Sequence, residues 1–174
     1  MKAFRLLATV VVLSWPLYCK AEQVTLSALK MRVAYRPEDR WFVEFDRSNG
    51  NGQADHDTAM EVLLIKSGKS KSVFIGGSVV PKGDSQFNKD ILAQMEKQAT
   101  PKDYRILTKE FTKFAGLRAY KVLSESPALQ RQVLLYFFYS GDMEYAILAG
   151  SDNEQPIQSD KEIKRILDSI VLTK

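Results

Sequence analysis

The chain has 174 residues, 45% of them hydrophobic, and carries 25 Lys+Arg against 21 Asp+Glu for a net charge of +4. Residues 1–21 hold three of those cations, Lys2, Arg5 and Lys20, and no acid, so residues 22–174 carry 22 basic against 21 acidic side chains, net +1. That balance excludes a nucleic-acid reading from charge, because binding phosphates requires a surplus of Lys and Arg on one face.

The N-terminal pattern is that of a secretory signal peptide. Lys2 and Arg5 precede the apolar run "LLATVVVL" (6–13), the breaker Pro16 and the short end "YCKA". The run is too short to cross a bilayer, which takes about 20 apolar residues. We place cleavage after Ala21, with Cys19 at the −3 position. A lipid anchor on Cys19 would need small residues before it; Pro16, Leu17 and Tyr18 stand there instead. No second apolar run of that length follows, so no integral membrane segment is expected after cleavage. Cys19 is the single cysteine, which leaves residues 22–174 without a disulfide, a thiolate metal site or a thiol nucleophile. A chain of that length buries enough surface to stand as one domain.

The strands come first. "MRVAY" (31–35) and "WFVEFD" (41–46) flank the turn in "YRPEDRW". In the second strand Trp41, Val43 and Phe45 share one face, a period of two. A polar loop, "RSNGNGQADHDT", separates it from "AMEVLLIK" (59–66) and "SVFIGGSVV" (72–80), which "SGKSK" joins as a hairpin. Gly76 and Gly77 mark a bulge or a close backbone approach. Phe87, Ile91, Leu92, Met95 and Ala99 recur at helical spacing, predicting a helix over 85–99 that Pro101 stops. Four more strands are expected, at 104–111, 117–124, 131–139 and 144–150, the last two joined as a hairpin by "SGD". "VLLYFFY" is apolar on both faces, so it should lie inside the sheet with cover on each side. A final helix is expected from Ser159, with Ser159 and Glu162 at capping-box spacing and Ile163, Ile166, Leu167 and Ile170 as its apolar stripe. This order gives an α+β fold, an antiparallel β-sheet with two amphipathic helices packed on it.

Landmarks spread over residues 22–174 resemble the PsbP-like fold, including exported bacterial proteins of the DcrB-like kind. They are the corner of Tyr35, Pro37 and Trp41; Gly116 before Ala119 and Tyr120; the hairpin of Tyr136, Tyr139, Gly141 and Tyr145; and Ile166, Ser169 and Ile170 in the last helix. Two departures stand out. The family usually has Tyr and Pro adjacent and Gly before Trp, whereas here Arg36 intervenes and Arg40 precedes Trp41. The resemblance implies a PsbP-like α/β/α sandwich and an accessory or adaptor role. It carries over no functional residues.

Each candidate site has a plainer reading beside it. "YRPEDRW" reads as a corner with Trp41 rooted in the core, leaving Arg36 and Arg40 to present charge to a partner. Asp46, Asp55, His56 and Asp57 surround the Gly/Asn loop. Asp46 and Asp57 are spaced as positions 1 and 12 of a calcium loop, but Gly falls at positions 5 and 7 and position 12 is Asp. A hydrated loop is the preferred reading, with a calcium or transition-metal site as the alternative. His56 is the only histidine, and no G-x-S-x-G elbow accompanies it; Ser78 falls in a predicted strand. "SGKS" (67–70) has Leu63 where a phosphate loop needs Gly. Lys66, Lys69 and Lys71 then read as a basic hairpin tip, either solvated or docking an acidic partner or membrane headgroups. The aromatics of 136–139 and Tyr145 read as core rather than pocket lining. The expectation is an exported, periplasmic or secreted, non-catalytic adaptor that needs no cofactor and binds another cell-envelope protein. The alternatives are an immunity or inhibitor protein against a toxin, a small-ligand or metal-ion binder, and a hydrolase using His56.

Overall fold

The computed structural model describes residues 21–27, 29–46, 61–66, 68, 70–81, 85–152 and 156–173. Its strands are β1 (Glu22–Leu26), β2 (Met31–Tyr35), β3 (Trp41–Asp46), β4 (Glu61–Lys66), β5 (Lys71–Val79), β6 (Arg105–Phe114), β7 (Leu117–Ser126), β8 (Arg131–Ser140), β9 (Met143–Asp152) and β10 (Val171–Leu172). Two helices join them, α1 (Lys89–Ala99) and α2 (Lys161–Asp168). The fold is mostly antiparallel sheet with two helices, as the sequence predicts. The strands divide into two sheets, however: seven in the order β3-β4-β5-β9-β8-β7-β6, and three in the order β1-β2-β10. The corner "YRPEDRW" therefore joins one sheet to the other. A 3-10 turn at Pro37–Asp39 makes the bend, and Arg40 takes a left-handed conformation (φ 63°) while its N–H donates to Pro37 O. The strands β1 and β10 were not expected. Each is short, and neither has an apolar alternation long enough to stand out.

Alternating side chains of the large sheet feed two separate cores. On one face Leu134, Phe138, Tyr145, Ile147 and Ile75 pack with β1, β2, Ile163 and Ile166 of α2, and Ile170 just beyond it. On the other face Tyr120, Val122, Leu135 and Phe137 pack with Met95 and Ala99 of α1. β8 lies between β9 and β7 and contributes to both cores, the covered interior position its composition predicts.

The helix ends differ from expectation by local chemistry. Helix α1 begins after Asn88, whose side chain accepts from the Ile91 N–H. Ser85 instead donates its hydroxyl to Gly141 O, tying the lead-in segment to the β8–β9 turn. Helix α2 is capped by Asp160 rather than by Ser159: the Asp160 carboxylate accepts from the N–H groups of Glu162 and Ile163. Asp is a better acceptor than Ser beside the positive end of the helix. Ser159 belongs to the preceding 3-10 turn, where its hydroxyl donates to Pro156 O. At the other end Ser169 accepts from the Ala34 N–H at 2.9 Å and donates to carbonyl oxygens, locking α2 to β2.

Lys66 and Lys71 hold the front of α2. The Lys71 ammonium lies 2.8 Å from Asp160 and 3.1 Å from Glu162, and Lys66 lies 2.5 Å from Glu162. Burial opposes the charge on Asp160 and on Glu162. Hydrogen bonds outweigh it, from Lys71 and two backbone N–H groups to Asp160, and from Lys66 and Lys71 to Glu162, so both carboxyls sit below their ordinary range. Burial likewise opposes the charge on Lys71, and its two acidic partners still raise its pKa.

The β5–β9 register runs unbroken from Lys71↔Ser151 to Val79↔Met143, so Gly76 and Gly77 form no bulge. The irregularity lies in β6, between Ile106 and Thr108. Gly77 is instead the close approach. A Cβ there would stand 2.8 Å from Glu144 O and 3.0 Å from Leu29 Cδ2. Gly77→Ala should therefore cost about 1–3 kcal/mol by overpacking, read as a lower urea midpoint at unchanged slope. The acidic cluster gives a second expected outcome. The unfolded chain holds protons on Asp160 and Glu162 more tightly than the folded one, so their stabilisation is present above the ordinary carboxylate range and lost as pH falls through it. The urea midpoint should drop on acidification below about pH 4.5, and Asp160→Asn should flatten that drop.

Candidate functional site

The structure scatters the sequence-derived candidates. Trp41 is only 3% exposed and packs in the larger core. Its Nε1 and the Nε of half-buried Arg36 find no hydrogen-bond acceptor among the described residues. Arg40 is exposed, while its neighbour Asp39 is held by Arg165 of α2 at 2.9 Å. Lys66 and Lys71 are not free charges at a hairpin tip, because both are bound to the front of α2 as described above. Lys69 lies outside the described residues. Asp46 ends β3, and Asp55, His56 and Asp57 fall outside the described residues too. Ser78 donates its hydroxyl to Glu144 at 2.6 Å, a strand-to-strand contact within the sheet. Phe137, Phe138 and Tyr145 are core, as expected. Tyr139 is half-buried against the α1-side core, and Tyr136 is half-buried and faces a groove.

That groove is the candidate site, and the architecture explains why it exists. On the α2 face of the large sheet the larger core takes in Ala119 and Leu123 of β7 and Phe114 at the end of β6, and stops short of the middle of β6. Thr108 and Glu110, which share that face with Phe114, stay exposed. The step leaves a half-open groove of about 580 Å³ between α2 and the strands β6, β7 and β8. Its lining is mixed: Phe114, Leu134, Ile157, Leu167 and Ile170 are apolar, and Lys113, Lys121, Lys164 and Asp168 bring charge. Phe114 stacks on Tyr136 at 4.6 Å between ring centres and on Phe138 at 5.4 Å, which joins the groove wall to the core.

Two ion pairs stand at the groove. Lys121 pairs with Glu110 at 3.0 Å on the strand side, and Lys164 pairs with Asp168 at 2.6 Å on the helix side. The Tyr136 phenol lies among them. Burial pushes its pKa up, Lys121 pulls it down and Glu110 pushes it up again. A volume of this size with a mixed lining that includes three lysines suits non-covalent binding of a group with both apolar and charged parts.

Sequence reasoning missed this site because its residues come from three strands, a helix and the 3-10 turn before it, far apart in the chain. One local signal was present. Lys121 sits in "AYKVL", directly opposite Tyr136, on the face that elsewhere points into the larger core. A lysine at an inward strand position marks a place where the covering layer is missing.

No family model matches the chain, and no curated protein matches its sequence. Solved structures do match its fold. The solution structure of cyanobacterial PsbP (CyanoP) from Synechocystis sp. PCC 6803 superposes with a TM-score of 0.62 at 9% identity, covering 88% of this chain and 93% of that one. A crystal structure from Bacteroides thetaiotaomicron superposes with a TM-score of 0.53 at 11% identity, over 87% of this chain but only 48% of the other, so this chain spans about half of that protein. Among the described residues no helix is long and apolar enough to cross a membrane. The strand order, the two helices and this match over most of both chains establish that the protein has a PsbP-like fold.

Proposed function

We propose that the protein is an exported, non-catalytic accessory protein that binds another protein of the cell envelope, and that the groove beside α2 receives that partner. The observation that carries the reading is the groove itself, a preformed volume with a mixed apolar and charged lining and two ion pairs beside it. The likeness in fold to a cyanobacterial PsbP supports an accessory role. The N-terminal pattern supports export to the periplasm or beyond, with cleavage after Ala21 and residues 22–174 as one domain, and the layered order of a PsbP-like α/β/α sandwich belongs to the same reading. Arg36 and Arg40 remain secondary candidates at the corner, and the loop bearing Asp55, His56 and Asp57 has no part in this function. The groove volume also favours a second reading, a carrier of a small amphiphilic ligand.

Crosslinking in intact cells, affinity purification from the envelope and mass spectrometry test the proposal. One enriched partner is expected. Its recovery should fall about tenfold or more, the equivalent of ~1.4 kcal/mol, in Lys121→Glu with Lys164→Glu, and should be unchanged in His56→Ala. The absence of any enriched protein in a folded, exported sample overturns the reading, as does undiminished capture by the groove variant.

A further inference from the structure

We infer that strand β6 is an open sheet edge that receives an extended, acid-bearing segment of another protein, which pairs with it as an added strand. This deepens the envelope-binding reading and rests on it. Among the described residues β6 closes one side of the large sheet and bonds only to β7. It is ten residues long, against six for β3 at the opposite edge. Its outer backbone N–H and C=O groups are a ready template for another strand.

The side chains around that edge set the partner's chemistry. Phe111 is 44% exposed. The Arg118 guanidinium lies over it at 4.2 Å from the ring centre, and 5.4 Å from the Phe87 ring. Lys113 stands directly opposite Arg118 in the β6–β7 register. Both are exposed, and neither meets a carboxylate among the described residues. Like charges facing each other across strands are unfavourable. The nearby acids are already engaged: Glu96 accepts from Lys109 and Tyr120, and Glu110 pairs with Lys121 on the other face. A carboxylate arriving opposite Lys113 would relieve the repulsion and complete the Arg118–Phe111 stack, and an apolar side chain beside it would cover Phe111.

A second copy of this chain does not fit that role. Lys109 and Lys113 lie on one face of β6 and Glu110 on the other. Two β6 strands extending one sheet about a two-fold axis keep their faces, so they cannot set those lysines against that glutamate. The edge selects against itself and in favour of an acidic strand from elsewhere.

The test uses the purified protein and a soluble Glu/Val peptide of repeating Glu-Thr-Val-Thr, which sets Glu and Val in turn on one face of a strand, as Lys113 and Phe111 require. Controls are the Lys/Val peptide, the Glu/Val peptide N-methylated at alternate backbone positions, and phosphatidylglycerol vesicles. Binding should slow hydrogen exchange at alternate β6 amides. Affinity should fall about tenfold or more in Lys113→Glu with Arg118→Glu, and less in Lys113→Gln with Arg118→Gln, at unchanged urea midpoints. The control peptides should not bind. Unchanged β6 exchange, equal affinity for the charge-reversed variant, or binding to the vesicles without binding to the peptide overturns the inference. Lys113 also lines the groove, so envelope capture by Arg118→Glu alone separates the inference from the reading beneath: a partner kept by Arg118→Glu and lost by the groove variants overturns the strand-addition proposal alone.

Discussion

The placement of helix α2 depends on one buried carboxylate. Asp160 is 4% exposed and serves both the helix and the sheet. It caps α2 through the N–H groups of Glu162 and Ile163, and it binds the Lys71 ammonium on β5. A buried charge is tolerable only when paired and hydrogen-bonded, and here both conditions are met at once. Because the two contacts converge on one group, the start of the helix and its position on the sheet are fixed together. Ser169 does the same at the far end, where it is bound to Ala34. Between these anchors Ile163 and Ile166 reach the larger core, and Ile170 follows them just beyond the helix.

The groove follows from that anchoring. With α2 fixed at both ends, the covering layer is too narrow for a seven-stranded sheet. Two consequences appear on the uncovered side. Lys121 and Tyr136, which would otherwise be buried under a helix, face an open volume. Among the described residues β6 also remains a bare edge, carrying Lys109 and Lys113 on one face and Glu110 on the other. On the opposite face α1 does reach this side of the sheet. Glu96 of the helix accepts from Lys109 and Tyr120, and the Ser124 hydroxyl donates to Ala99 O. Burial and that carboxylate raise the Tyr120 pKa, while the hydrogen bonds from Tyr120 and Lys109 lower that of Glu96. The two faces are thus held by similar devices, a helix carboxylate meeting a strand cation. On the α1 face the device reaches the edge strand. On the α2 face it reaches β4 and β5, at the other side of the sheet.

The lysines of the β4–β5 hairpin show how charge can mislead. Read along the chain, Lys66, Lys69 and Lys71 look like a solvated tip, because nothing nearby in sequence is acidic. In the fold, residues more than 80 positions away bring Asp160 and Glu162 against two of them. A lysine's role depends on what faces it, and along a strand that is set by pairing and packing. The same holds for the helix start. The spacing of Ser159 and Glu162 satisfies a capping box, yet Asp160 sits one residue closer to the helix and carries the charge that Lys71 can share.

What the sequence determined by itself is the local structure. Period-two alternation located most strands, helical spacing located α1 and α2, and the doubly apolar "VLLYFFY" placed β8 inside the sheet, because these patterns are imposed by backbone geometry residue by residue. Composition alone gave the near-neutral charge of residues 22–174 and their lack of cysteine. Only the tertiary structure decided that the strands form two sheets, that β1 and β10 exist, that Lys66 and Lys71 bind the helix cap, and that α2 stops short of β6. Each of these depends on contacts between distant segments, whose partners are chosen by how much apolar surface and how many buried charges the whole assembly can satisfy.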